Sequence, residues 1–384
     1  MTKRCFLIPM LVLAVILAAG AALASTGALT PKGCIADSTN NPAGCSKTAK
    51  GLDGAYSVAV SPDGKSVYVA GDGSEAIVRF ARNTTTGALI SKGCIADPVN
   101  NPDGCAKTAK GLDDVISVTV SPDGRSVYAA GGNDNAIVRF ARNTTTGALT
   151  PRGCIADPVN NPDSCPKTAK GLDFPQSVTV SRDGKSVYAA GSQDNAIVRF
   201  ARNFTTGALT AKGCIADPAH NPDGCPKTAK GLDRTVFAAV SRDGKSVYAA
   251  GSQDNAIVRF ARNTTTGALT PKGCIADPAH NPDGCPKTAK GLRNAVSVAL
   301  SRDGESVYVM GSDASAIVRF ARNTTTGALT PKGCIASQIS NPAGCPRTAK
   351  GLDSAVSVTV SPDGTSVYVA GETDNAIVRF ARAP

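Results

Sequence analysis

Tryptophan is absent from this chain, histidine occurs twice, and aromatic residues fill 4% of its 384 positions. One thick core of large side chains is therefore excluded, as are the stacked aromatic platforms on which single-stranded nucleic acids lie. The scarcity of histidine removes the commonest general base and the usual imidazole ligand of zinc. After the first 24 residues no apolar run approaches the roughly 20 residues that a membrane-spanning helix needs. What the chain does have is 42% hydrophobic residues, dominated by Val, Ile, Ala and Leu, with 39 Gly and 24 Pro. That composition suits many thin cores separated by turns better than one large core.

Lys3 and Arg4 precede an apolar run from Cys5 to Ala19, and Ala22-Leu23-Ala24 has the small-x-small pattern of a signal-peptidase site. Residues 1–24 are thus read as a cleaved signal peptide, and residues 25–384 as a secreted or periplasmic chain with no membrane span. Export places the cysteines in an oxidising compartment, where thiols pair. Twelve of the 13 follow the signal, as Cys34/Cys45, Cys94/Cys105, Cys154/Cys165, Cys214/Cys225, Cys274/Cys285 and Cys334/Cys345, with 60 residues from one pair to the next. One local disulfide per repeat is the economical pairing, and links between adjacent repeats are the alternative. A zinc site would need closer spacings and further ligands.

Set in rows of 60, the chain aligns without a gap: Ser61-Pro62-Asp63-Gly64 returns at Ser121 and Ser361, and as Ser-Arg-Asp-Gly at Ser181, Ser241 and Ser301. A fixed period of this length marks a solenoid, propeller or array. Each copy holds four strand-like runs, in the first Ser57–Val60, Ser66–Ala70, Ala76–Arg82 and Ala88–Ile95, joined by turn residues. Four short antiparallel strands make one propeller blade, and the largely apolar second and third runs fit sheets covered on both faces. The predicted fold is all-β, a six-bladed β-propeller of four-stranded antiparallel blades over residues 25–384. Its ring is expected to close when the N-terminal strand, Gly27–Thr30, completes the last blade, which ends in Ala376–Arg382. Closure removes free sheet edges.

The unit SPDGKSVYVAG…AIVRFARNTTTGALT, with a later GLDxxxSVxV, resembles the repeats of bacterial lactonase-like propellers, also described as YVTN-type repeats. The likeness covers essentially all of residues 25–384. It implies the propeller fold and, as activity, a sugar-lactone hydrolase or a muconate-cyclase relative, which needs a general base or a metal-activated water. The residues themselves offer few bases. His220 and His280 occupy a loop position held by Asn40, Asn100, Asn160 or Ser340 in other copies, and read as solvated loop residues. Asp63 and its counterparts sit in a hairpin turn, and Asp53, Asp113, Asp173, Asp233 and Asp353 precede the first strand; both are structural places for Asp. Asp97 and Asp103 supply oxygens scattered among prolines, short of a calcium loop. No catalytic residue, metal ligand or cofactor is assigned. Arg79 and its five counterparts, in the middle of every third strand, are expected to bridge blades by donating to a carboxylate or carbonyl.

Six copies in one chain can be compared with one another. The turns between strands one and two and between three and four are nearly constant. Variation gathers at the approach to the first strand and in the turn between strands two and three, which a propeller places on one face around the channel mouth. Tyr56, Phe174, Gln176, Arg234 and Asn294 break the sixfold pattern there and are the predicted ligand-binding residues. The formal charge of +11 becomes +9 without Lys3 and Arg4, which favours an anionic cell-envelope or extracellular polymer as partner. No specific nucleic-acid recognition is expected. A non-repeated cluster of acid, base and Arg at the mouth would mark a hydrolase, and none is legible. The chain is therefore read as a non-catalytic binding or scaffold module, with a lactonase-like hydrolase or cyclase as the alternative.

Overall fold

The computed structural model describes residues 32–382, and no helix among them is long and apolar enough to cross a membrane. A short parallel pair, β1 (Ile35–Asp37) and β2 (Lys47–Ala49), precedes the first blade. That blade runs β3 (Ala55–Val60), β4 (Ser66–Gly71), β5 (Ala76–Arg82) and β6 (Leu89–Ala96), each antiparallel to the last. Local chemistry dictates the first hairpin: Ser61 Oγ donates to Asp63 Oδ1, which also accepts from the Lys65 N–H, and Gly64 takes the left-handed φ of 67° that closes the turn.

A fifth strand departs from expectation. β7 (Lys107–Thr108) lies parallel to β6, with Ile95 opposite Lys107. The Cys94–Cys105 disulfide folds the intervening loop back so that the chain after it runs beside β6. Two polar residues carry no alternation, so sequence patterning could not show this strand. The same five-stranded sheet recurs through the fifth blade. The sixth has three strands among the described residues, Ala355–Val360, Ser366–Gly371 and Ala376–Ala381. Gly27–Thr30, expected to complete it, lies outside those residues.

The cysteines pair within repeats, as Cys34–Cys45, Cys94–Cys105, Cys154–Cys165, Cys214–Cys225, Cys274–Cys285 and Cys334–Cys345, each across 11 residues. Links between adjacent repeats, the alternative that spacing left open, are thereby replaced by the local pairing. The second cysteine of each pair is held by the same device: the N–H groups of Cys45, Cys105, Cys165, Cys225, Cys285 and Cys345 donate to Oδ1 of the Asn four residues earlier. Cys105, Cys165, Cys225, Cys285 and Cys345 are buried, whereas Cys45, in the loop before the first blade, is half-buried.

Packing confirms the thin cores. Tyr128, Ala130, Ile137 and Ile155 of the second blade meet Leu172, Val178, Val187, Ala189, Val198 and Phe200 of the third in one buried cluster, and equivalent clusters lie at neighbouring interfaces. Each small core is shared by two sheets, so no blade can bury its apolar faces alone. The lack of large aromatics follows from this geometry: Ala and Val fill a narrow gap between twisted sheets.

The five interfaces between consecutive blades carry a polar clasp as well. Tyr128 Oη donates to the Gly207 carbonyl at 2.6 Å and accepts from Arg202 Nε at 2.8 Å. Arg202 also bonds Asp123 Oδ2 at 2.8 Å and the Gly184 carbonyl at 3.1 Å. Arg142, Arg262 and Arg322 repeat the pattern. Gly207 cannot be replaced here: its φ is 72° and a Cβ would lie 2.0 Å from Ser126 Oγ. The Arg79 series bridges blades as expected, with Arg199 Nη1 donating to the Thr266 carbonyl at 2.6 Å. The arginine three residues later, Arg202 in this blade, is the one that meets a carboxylate.

These clasps set an acid response. Partial burial pushes the Asp63 and Asp303 carboxyls up, but hydrogen bonds from Ser61 or Ser301, from the backbone two residues on, and from Arg142 or Arg382 outweigh it and hold both at about 2. A folded pKa below the unfolded one contributes stability that is present above about pH 4 and lost as pH falls toward 2. Thermal melts should therefore show the midpoint falling steeply between pH 4 and 2. Asp63→Asn should flatten that fall while lowering the midpoint at pH 6; an unchanged slope would remove the clasp as its cause.

Candidate functional site

Six innermost strands surround a central channel of about 880 Å³. The chain enters it at the residues before β3 and leaves it at Ser61-Pro62, so the two ends are built from different loops. At the entry end the approach loop and the turn between strands two and three are tied together: the Asp72 N–H donates to the Gly54 carbonyl, the Gly132 N–H to Asp114, and the Ser192 N–H to Phe174. Both variable loop sets thus share one mouth, as their spacing implied.

The backbone at this mouth is unusual. Asp114, Phe174, Arg234 and Asn294 have φ of 55°, 51°, 50° and 51°, where the first repeat has Gly54 at 62°. Such conformations are costly for residues with a Cβ and persist where the surroundings impose them. The imposing contact is a clamp from the preceding blade. The N–H groups of Phe174, Arg234 and Asn294 donate to Oδ1 of Asn135, Asn195 and Asn255 at 2.7–2.8 Å. Between the first two blades the acceptor is Glu75, which takes the Asp114 N–H.

Glu75 is the only ionisable residue in that column, the others being Asn135, Asn195, Asn255, Ser315 and Asn375. Burial raises its pKa, the Asp114 N–H lowers it, and repulsion from Asp113, Asp114 and Asp72 raises it again, leaving it at about 7. Asp72 and Asp114 also act on Tyr56: desolvation in the concave mouth, then Asp72, Glu372 and Asp114, push its hydroxyl up. A Cβ at Gly132 would lie 2.5 Å from Asp114 Oδ2 and 3.2 Å from the Phe174 ring. An arc of Tyr56, Asp72, Glu75, Asp114 and Phe174 therefore crosses three blades.

The predicted residues divide on this frame. Tyr56, 68% exposed, and Phe174 lie on the arc. Tyr56 and Gln176 are the extra residues of β-bulges, which re-aim side chains beside many sites. Gln176 Nε2 reaches Ser192 Oγ at 3.4 Å, and Asn294 Nδ2 is bound to Asp313 Oδ1 at 2.9 Å. Arg234 is exposed across the mouth on the fourth blade. A non-repeated acidic cluster with an aromatic hydroxyl and an arginine on one face thus exists, against expectation. Its sequence signal is Glu75 in a column otherwise of Asn and Ser, within the variable turn between strands two and three. The paired cysteines take no part: Cys45, Cys105, Cys165, Cys225, Cys285 and Cys345, like their partners, lie away from the channel lining and act on the outer strands alone.

Elsewhere, His220 and His280 are exposed at the surface, His220 Nδ1 lying 3.4 Å from Asp233. The opposite channel end is not constant either, for Arg182, Arg242 and Arg302 line it where Pro62, Pro122 and Pro362 stand in other blades. Desolvation and repulsion from Arg182 and Arg302 lower the Arg242 pKa, which marks the three as one cationic arc. Asp97, Asp134 and Asp163 meet in a buried cluster between the first two blades, and two further triads repeat it. Asp97, whose oxygen is scattered among prolines in the sequence, is thus brought beside two carboxylates from distant loops.

Residues 118–217 match a family model described as lactonase, 7-bladed β-propeller. A proposed 6-phosphogluconolactonase from Bacteroides fragilis superimposes with a TM-score of 0.62 at 19% identity, covering 86% of this chain and 81% of its own. The periplasmic gluconolactonase of Pseudomonas aeruginosa does so with a TM-score of 0.60 at 17% identity, covering 91% and 87%. No curated protein sequence matches. The resemblance to lactonase-like propellers holds in the matched repeats and in the fold, although six blades are present rather than seven. These findings overturn the expectation of a non-catalytic binding or scaffold module and stand with the hydrolase alternative.

Proposed function

We propose that this protein is an exported lactonase-like hydrolase that opens a neutral sugar lactone at the Glu75 mouth. The observation that carries the reading is Glu75 itself, an ionisable side chain in a clamp otherwise made by Asn or Ser, with a pKa of about 7. A general base works best when its pKa lies near the working pH. Similarity to the lactonase model and to a periplasmic gluconolactonase supports the reaction class. Six disulfides support the oxidising compartment.

In this mechanism the Glu75 carboxylate takes a proton from a water as its oxygen adds to the lactone carbonyl carbon. Tyr56, a phenol protonated at neutral pH and pushed further up by its surroundings, donates a hydrogen bond to the oxyanion. Collapse breaks the acyl C–O bond, and the proton held by Glu75 passes to the departing ring oxygen, giving the hydroxy acid. Asp72, Asp113, Asp114 and Glu372 make this mouth negative, so a phosphorylated lactone should be disfavoured about tenfold or more in kcat/KM.

Hydrolysis of D-glucono-δ-lactone in a pH-stat tests this. Activity should rise as pH passes through about 7, because the base must be ionised. Glu75→Gln, which keeps an oxygen acceptor for the Asp114 N–H, should lose roughly 10²–10⁴ in kcat with a melting midpoint no lower than that of the unmodified protein, since an ionised Glu75 of raised pKa costs stability. Hydrolysis no faster than buffer, or full activity in that variant, would refute the proposal.

A further inference from the structure

Three copies of one carboxylate triad lie between neighbouring blades, at Asp97/Asp134/Asp163, Asp157/Asp194/Asp223 and Asp217/Asp254/Asp283. In each, the first Asp follows the fourth strand of one blade, the second sits in the turn between strands two and three of the next blade, and the third in that blade's disulfide loop. One oxygen from each lies within 4.8 Å of the others. Calcium–oxygen distances of about 2.3–2.6 Å place ligands on opposite sides of the ion roughly 4.8 Å apart, so the spacing fits a single coordination sphere.

Hydrogen bonding shows what the clusters lack. Asp97 is 1% exposed; its Oδ1 accepts from the Val99 and Asn100 N–H groups, while its Oδ2 is buried with no partner. Asp157, also 1% exposed, repeats this, with Oδ1 bound by Val159 and Asn160 and Oδ2 unpartnered. In the third triad Asp217 Oδ2 has one long bond, 3.4 Å from the Leu232 N–H. A buried carboxylate oxygen without a donor, facing two further carboxylates, is an acceptor arrangement that a cation satisfies and that protein donors here do not.

Two positions in the ring serve as internal comparisons. In the first, Ser74 replaces the middle Asp, and its Oγ donates to Asp103 Oδ2 at 2.8 Å while Asp37 Oδ2 accepts from the Leu52 N–H at 2.9 Å. That site is satisfied without an ion. In the fifth, Ala314 and Ala343 replace the second and third Asp together, and the remaining Asp277 Oδ2 accepts from the Gly291 and Leu292 N–H groups. The unpartnered oxygens thus fall in complete triads and not in the incomplete ones, among the described residues.

We propose that the three complete triads bind Ca²⁺, one ion per blade interface. All three side-chain ligands are carboxylate oxygens with no His or Cys among them, which selects a hard cation. Burial between blades favours Ca²⁺, since Mg²⁺ usually keeps several of its waters. An ion at Asp134 would join two blades and brace the Asp113 N–H, which Asp134 Oδ2 accepts at 2.9 Å. The proposal does not depend on the lactonase reading.

The test uses the mature chain, stripped with EDTA and titrated with CaCl₂ by calorimetry, with metal content read by mass spectrometry. Three Ca²⁺ per chain are expected from three triads, and the melting midpoint should rise with Ca²⁺ but not with equal Mg²⁺. Asp134→Asn and Asp194→Asn should each weaken one site about tenfold or more. Should those variants fold poorly, Ser74→Asp supplies the converse, since it completes the Asp37/Asp103 pair and should raise the stoichiometry to four. No uptake at millimolar Ca²⁺ by chain that is folded by circular dichroism, or a stoichiometry that ignores both kinds of variant, overturns the proposal.

Discussion

Reduction of the six disulfides should lower the melting midpoint by about 10–20 °C, more than any single substitution in this chain. Each bond closes a loop across 11 residues, for which unfolded-chain entropy corresponds to about 3 kcal/mol. Five of them act in different blades and the sixth in the strand pair before the first blade, so they add more nearly than neighbouring ones would. In the native state the five bonds within blades also hold the fifth strand against the fourth, as at Ile155 and Lys167 beside Cys154–Cys165, and Cys34–Cys45 does the same for β1 and β2. Calorimetry with and without reductant measures the shift, and thiol counting verifies that the bonds have opened. A midpoint unmoved by complete reduction would mean that the blade interfaces alone hold the ring.

Replacing Arg202 with Met should cost about 3–5 kcal/mol, because it leaves Asp123 in a mostly buried place without its counter-charge. Arg202 has no exposed side-chain surface and serves four groups of two blades: the Tyr128 hydroxyl, the Ser126 hydroxyl, the Asp123 carboxylate and the Gly184 carbonyl. Adding Asp123→Asn to Arg202→Met should recover part of the loss, since the orphaned charge disappears with it. Urea melts of the two single variants and the double variant give the coupling. A double variant as unstable as the sum of the singles would show that Arg202 acts by packing its stem and not through Asp123.

Much of this architecture was legible in the chain because it depends on local residues repeated six times. Hairpin turns announce themselves through Ser-Pro-Asp-Gly, whose hydrogen bonds close within five residues, and the cysteine spacing admits a local bond without reference to the rest of the fold. The variable mouth was legible for the same reason, since alternating strands place alternate turns on one side. Side-chain roles that depend on a neighbouring blade were not. Arg142 meets Asp63 across 79 residues, Glu75 meets the Asp114 N–H across 39, and Asp97, Asp134 and Asp163 come from three different loops.

The sequence by itself determined the period, the turns, the cysteine spacing and the variable loop sets that share one mouth, because each is a short-range consequence of residue type. Only the tertiary structure decided which carboxylates share a buried space, which arginine closes each interface and which acid stands at the mouth with its pKa near neutrality. Those depend on how one blade is rotated against the next, and a rotation between sheets leaves no mark in the periodicity of either. Desolvation and mutual repulsion, which turn an ordinary Glu75 into a candidate base, arise only once the blades have met.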